Sequence, residues 1–182
     1  MDAYRCIVTK RELRSFTDRP IPDDVLRKVL NAGRMSGSSR NRQPWHFIVV
    51  RDRDRLRRLS TCGRFAQHIA TAVVAVAIVI DEPGQAFDAG RCAQNMMLAA
   101  WHFGIASCPA SMHRADEAKG LLEVPADKVI SIVISLGQPH PNGRRPIERT
   151  TLRILTSRGR RPLAALLFWE RFGASDPDPP PL

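Results

Sequence analysis

Periodicity along this chain predicts one domain in which helices and strands share a core. Three observations carry that prediction. Val73 to Ile80 is a near-continuous β-branched run, the pattern of a strand covered on both faces. Phe87 to Phe103 is apolar on nearly every face, which marks a central buried helix. A length of 182 residues, 43% hydrophobic and 25% charged, suffices for one sizeable globular core.

In chain order, Asp2 to Thr9 spells a short helix with Asp2 near its start. Lys10-Arg11-Glu12-Leu13-Arg14-Ser15-Phe16 then puts three cations within five residues. Pro20-Ile21-Pro22-Asp23-Asp24 is a stop followed by a start, with Asp23 placed to cap the next helix. Val25, Leu26, Val29 and Leu30 recur at helical spacing, so Asp24 to Met35 is an amphipathic helix. It delivers the chain to a donor-rich loop containing Gly37, Ser38, Ser39 and Asn41. Pro44 then pushes Gln43 away from helical geometry, and His46 to Val50 reads as a buried strand.

Asp52 to Leu59 is a short charged helix with Leu56 and Leu59 facing inward, while Phe65 to Ala70 fits no single pattern. Asp81-Glu82-Pro83-Gly84 ends the long strand. Within the central helix, Gln94 and Asn95 are amides that need partners. Gly104 stops it, Ile105 to Met112 is strand-like, Ala115 to Leu122 is helical, and Val129 to Leu136 is a strand closed by Gly137-Gln138-Pro139. From His140 the chain turns polar before an expected amphipathic helix over Leu163 to Phe172. The first 172 residues make the domain, and 173–182 form a disordered Pro-rich tail. An arm with so little core of its own is expected to wrap around another subunit.

Several classes are excluded. The longest apolar run is strand-sized, too short for a membrane span, and the N-terminus lacks a signal-peptide core, so the protein is read as cytoplasmic. Four dispersed cysteines make neither a disulfide framework nor a zinc site, and the five histidines have no metal-ligand spacing. The net charge of +10 comes with 6% aromatics and no basic helix interleaved with them, which disfavours nucleic acid. Neither a phosphate-binding G-x-x-x-x-G-K-[ST] loop nor a G-x-G-x-x-G fingerprint occurs.

What remains is one chemistry in three separated pieces: cations at Lys10, Arg11 and Arg14, loop donors from Ser38 to Asn41, and cations at Arg158 and Arg160. Bidentate Arg, a Lys point charge and neutral donors together suit a phosphate dianion.

The pieces K-R-E-L-R-S-F, S-G-S-S-R-N-R-Q-P-W-H-F-I-V-V, D-A-G-R-C-A-Q-N-M-M-L-A-A-W-H-F-G-I-A-S-C, I-S-L-G-Q-P and R-G-R-R-P-L occur in this order. In that order the chain resembles the flavin-dependent nitroreductase family over nearly its whole length. The resemblance implies a homodimeric α+β fold, a mixed sheet flanked by helices, with FMN at the subunit interface and a C-terminal arm on the partner. It implies that Lys10, Arg11, Arg158 and Arg160 hold the FMN phosphate and that Arg14 approaches the pyrimidine edge of the ring. Ser38, Ser39 and Asn41 would come from the partner subunit, and Ser111 and Met112 match the place where a backbone N–H meets flavin N5. The implied reaction is ping-pong: NAD(P)H passes hydride to FMN N5, leaves, and a nitroaromatic, quinone or similar small acceptor takes its place.

Departures from the family pattern matter. Glu12 stands where a Ser usually donates to the phosphate, so its carboxylate is expected to turn toward Arg11 or the ring. Arg40 replaces a small residue and Gly37 a proline, and little chain lies between Ser111 and Val129 to cover the flavin. Glu12 also supplies a runner-up. The flavin-fragmenting branch, which makes dimethylbenzimidazole from reduced FMN and oxygen, carries an acidic residue there and a Ser matching Ser111. A flavin-binding protein without turnover is a third reading.

Overall fold

The first compact unit is assembled on β2 (Val74–Ile80), whose seven residues are all buried. The computed structural model describes residues 1–141 and 160–174, which belong to two units, 1–144 and 145–182. In the first unit β2 pairs on one side with β1 (Trp45–Val50) and on the other with β4 (Val129–Gly137). Beyond β4 lies β3 (Ala106–Ala110), giving the order β1-β2-β4-β3 with every strand pair antiparallel. The α+β class holds. Among the described residues, the parallel part of the mixed sheet is a single bridge between Glu12 and Ser107.

Alternation along β2 decides which helix covers which face. Val74, Val76, Ile78 and Ile80, with Ile134 and Leu136, meet α2 (Asp23–Arg34) and α4 (Ala86–His102). Ala75, Ala77 and Val79, with Val133, meet α3 (Arg53–Thr61) and α5 (Ala115–Leu122). The small alanines on this second face leave room for Leu56 and Leu59, both fully buried and each stabilising by about 2 kcal/mol.

Helix starts follow the sequence at two of three places. Asp2 accepts from Arg5 N at 2.8 Å to cap α1 (Ala3–Thr9), and Asp52 accepts from Arg55 N at 2.8 Å to cap α3. Asp23 is a correction. Pro22 occupies the cap position, and Asp23 is the first helical residue, its carboxylate paired at 2.5 Å with Arg51, which holds its pKa below the usual range. The segment over Phe65 to Ala70 resolves as a single 3₁₀ turn, Gln67–Ile69, with His68 and Ile69 buried.

In the second unit the predicted helix over Leu163 to Phe172 does not form. A 3₁₀ turn spans Leu163–Ala165, and Leu163, Leu166, Leu167 and Phe172 are exposed. Ten residues cannot hold a helix without a surface against which to bury their apolar stripe. The predicted tail lies, from residue 175 onward, outside the described residues.

Candidate functional site

Helix α4 organises the candidate site because two of its stripes hold the two pieces that the sequence singles out. Met97 and Trp101, one turn apart, face the N-terminal segment: Lys10 Nζ lies 3.5 Å from Met97 Sδ, and Trp101 Nε1 donates to Thr9 Oγ1 at 3.1 Å. Arg91 and Asn95, again one turn apart, face the root of the loop. Asn95 Nδ2 donates to Ser36 Oγ at 2.8 Å, and a Cβ on Gly37 would meet the Arg91 guanidinium at 2.5 Å. At 3.6 residues per turn, Asn95 and Met97 point about 200° apart. The cations and the loop therefore sit on opposite flanks of one helix.

The N-terminal segment is stitched to the sheet. Leu13 N donates to Ser107 O at 3.1 Å, Thr17 N to Gln138 O at 2.9 Å, and His140 N to Ser15 O at 3.2 Å. Phe16 packs so closely on Gly137 that a Cβ there would meet Phe16 Cβ at 2.8 Å. Lys10 is buried, its ammonium ion-paired with Glu12, so the expectation that Glu12 turns to Arg11 or the ring is corrected. The physical reason is desolvation: an ammonium this buried draws in the nearest carboxylate. Arg11 is exposed, and its guanidinium caps the end of α1 through Val8 O at 3.0 Å and Lys10 O at 2.9 Å. Arg14 is also exposed, with Nε resting 3.4 Å from the buried Cys108 Sγ.

The loop is built differently. Ser39–Asn41 form a 3₁₀ turn, Ser38 Oγ accepts from Gln43 N at 2.9 Å, and Arg40, Asn41 and Gln43 all have φ near +50°. Three non-glycine residues in the left-handed region store strain of the kind found at functional sites. Ser39 and Asn41 are exposed and Ser38 half-buried.

Ser111 is exposed and Met112 half-buried, on a turn held from behind. Arg114 N donates to Cys62 O at 2.9 Å, Arg64 N to His113 Nδ1 at 3.2 Å, and a Cβ on Gly63 would meet Ser111 O at 2.7 Å. Arg160 is exposed and belongs to the second unit; Arg158 lies outside the described residues. Among the described residues no hydrogen bond or ion pair joins the N-terminal cations to the Ser38–Asn41 turn.

Three residues were not legible as part of the site. His68 and Ser135 are buried, with His68 Nδ1 2.8 Å from Ser135 Oγ, and Ser135 Oγ donates to Cys108 O at 3.1 Å. Burial first, and the Arg14 charge second, lower the His68 pKa to about 4, while burial raises that of Cys108 against the pull of Arg14. The one sequence signal was the pair of serines, Ser131 and Ser135, in a strand whose other residues are apolar or glycine.

Elsewhere on these helices, Tyr4, Ile7 and Val8 are exposed on α1, and Phe87 in the first turn of α4 is 77% exposed. Among the described residues no helix is long and apolar enough to cross a membrane.

Comparison with known proteins places this geometry. The model of the Nitroreductase family matches residues 7–77 and 65–138. A protein of Archaeoglobus fulgidus, provisionally named NADH dehydrogenase/NAD(P)H nitroreductase, is 33% identical over 149 residues, covering 76% of this chain and 86% of its own. A provisionally named nitroreductase from Desulfovibrio desulfuricans, solved in complex with FMN, is 28% identical with a TM-score of 0.74, covering 94% of this chain and 99% of its own. An FMN-dependent nitroreductase from Clostridium difficile shares the fold with a TM-score of 0.70 at 23% identity, over 79% of this chain and 92% of its own.

Proposed function

Because the chain belongs to the nitroreductase family of NAD(P)H oxidoreductases, we propose that it binds FMN between two copies of itself and passes hydride from NAD(P)H to a small acceptor. The observation that carries this reading is the division of labour on α4. One chain's cations and its own loop flank the helix on opposite sides, so each loop is free to serve the neighbouring copy's cations. The exposed apolar side chains Tyr4, Ile7 and Val8 on α1 and Phe87 on α4 support the same dimer.

The residues fit the cofactor. Lys10, Arg11 and Arg14 against Glu12 leave two net positive charges, which match a phosphate dianion. FMN, when bound, supplies two-electron chemistry at N5 of its ring. Arg11, Arg158 and Arg160 hold the phosphate, with Lys10 lending its charge from behind Glu12. Arg14 would set a fixed positive charge at the pyrimidine edge of the ring. Ser38, Ser39 and Asn41 of the other copy would line the remaining side, and the backbone of Ser111 and Met112 would offer an N–H to the ring. The C-terminal arm reaches onto the partner. NAD(P)H and a nitroaromatic or quinone occupy the same open face in turn, in ping-pong order, with no protein acid or base required.

The test is direct. Protein loaded with FMN and mixed anaerobically with NADH or NADPH should bleach, and a quinone or nitro compound added afterwards should restore the yellow colour. Failure of both nucleotides to bleach the protein would end this reading. Destruction of FMN under air, yielding dimethylbenzimidazole, would install the runner-up, although the engagement of Glu12 with Lys10 gives that branch no support. Changing Arg158 and Arg160 together to Ala should weaken FMN binding about a hundredfold.

A further inference from the structure

A buried chain of polar groups runs behind Arg14. Its Nε donates to Cys108 Sγ at 3.4 Å, and Cys108 is 1% exposed. The Cys108 carbonyl receives the proton of Ser135 Oγ at 3.1 Å. A hydroxyl has one proton, so the Ser135 oxygen accepts from His68 Nδ1–H at 2.8 Å. That fixes the tautomer and leaves His68 Nε2 as a buried acceptor with no partner among the described residues. Three residues from separate places in the chain thus line up behind the one guanidinium assigned to the ring edge. Solvation cannot be their reason, since Ser135 is fully buried and His68 nearly so.

We propose that Cys108, backed by Ser135 and His68, is a positioning residue that fixes the Arg14 guanidinium against bound flavin. This rests on the FMN reading above. An exposed arginine ordinarily samples many rotamers, and a guanidinium held at one edge loses less freedom when a negative charge grows beside it. The imidazole remains neutral in this setting, driven there by burial and by Arg14, so Arg14 is the single charge in the relay.

The test compares the affinity of the protein for reduced and oxidised FMN, read as the midpoint potential of the bound flavin. Arg14→Ala should cost the reduced form about a hundredfold relative to the oxidised form, a fall of about 60 mV for two electrons. Cys108→Ala should cost about tenfold, or about 30 mV, and Cys108→Ser, whose hydroxyl also accepts from Nε, should restore the wild-type value. Combined with Arg14→Ala, Cys108→Ala should add nothing further, because it acts through Arg14. An unchanged potential in Cys108→Ala, or full additivity in the double variant, would overturn the proposal. A second readout needs no flavin: alkylation of Cys108 in the cofactor-free protein, mapped by mass spectrometry. It should accelerate about tenfold in Arg14→Ala, while Cys6, Cys62 and Cys92 remain unchanged. If the wild-type protein takes up no FMN, the functional reading fails, and this rate alone decides whether Arg14 seats on Cys108.

Discussion

The two halves of the site are built on opposite principles. Residues 10–17 are tied into the interior, with Lys10 against Met97, Arg14 against Cys108 and backbone bonds to Ser107 and Gln138. Residues 36–43 are held at their root, where Ser36 meets Asn95 and Gly33 and Gly37 lies against Arg91, and their hydrogen bonds beyond it run within the loop itself. The first half is a finished wall. The second is a preformed hand held outward, with backbone strain in place of packing. The two parts of the candidate site thus differ: one is bonded to the sheet and α4, and the polar groups of the other find no counterpart in the chain's own N-terminal segment.

The comparison breaks first at the subunit surface. Ile7→Glu combined with Phe87→Glu should leave a folded monomer whose FMN affinity falls about a thousandfold, about 4 kcal/mol. Sedimentation with a flavin titration checks this, and a monomer that retains FMN would show that the loop serves its own chain. The interior half is sharpened by pH. His68 is neutral in the fold, with a pKa of about 4 against 6.5 unfolded, so its contribution is fully present above pH 6.5. It is lost as pH falls from 6.5 to about 4, where the unfolded chain takes up a proton and the fold does not. The loss amounts to about 3 kcal/mol, and urea unfolding across that window should show a flatter profile for His68→Leu.

A smaller effect tests the stitching of the wall. Gly137→Ala places a methyl against Phe16 and should cost about 2 kcal/mol, read as a lower urea midpoint with an unchanged slope. Smallest, and opposite in sign, is Arg40→Gly. At φ 50° it relieves left-handed strain in the loop and should stabilise by about 0.5 kcal/mol, with FMN affinity nearly unchanged. A destabilised Arg40→Gly would mean that the loop relies on packing after all.

Much of the sheet and its helices was legible because their residues advertise period. Val74–Ile80 and Ala115–Leu122 fall where the pattern puts them, within a residue. What escaped depended on partners far away in sequence. Asp23 was read as a cap because capping is local, yet Arg51, 28 residues on, claimed its carboxylate and Pro22 the cap position. The stretch from Leu163 to Phe172 has helical spacing, but spacing becomes a helix only with a surface to bury it. Glu12 could be named as unusual but not aimed, since the burial of Lys10 against Met97 decides its direction. His68 looked idle because its hydroxyl partner lies 67 residues away inside a hydrophobic run.

The pairing of Glu12 with Lys10 reaches beyond geometry. An ammonium only 7% exposed is costly to bury without a partner, and here its counter-ion is supplied from within the chain. That one buried charge is thereby matched by the polypeptide itself. Holding this ammonium inside the fold therefore asks nothing of a bound anion.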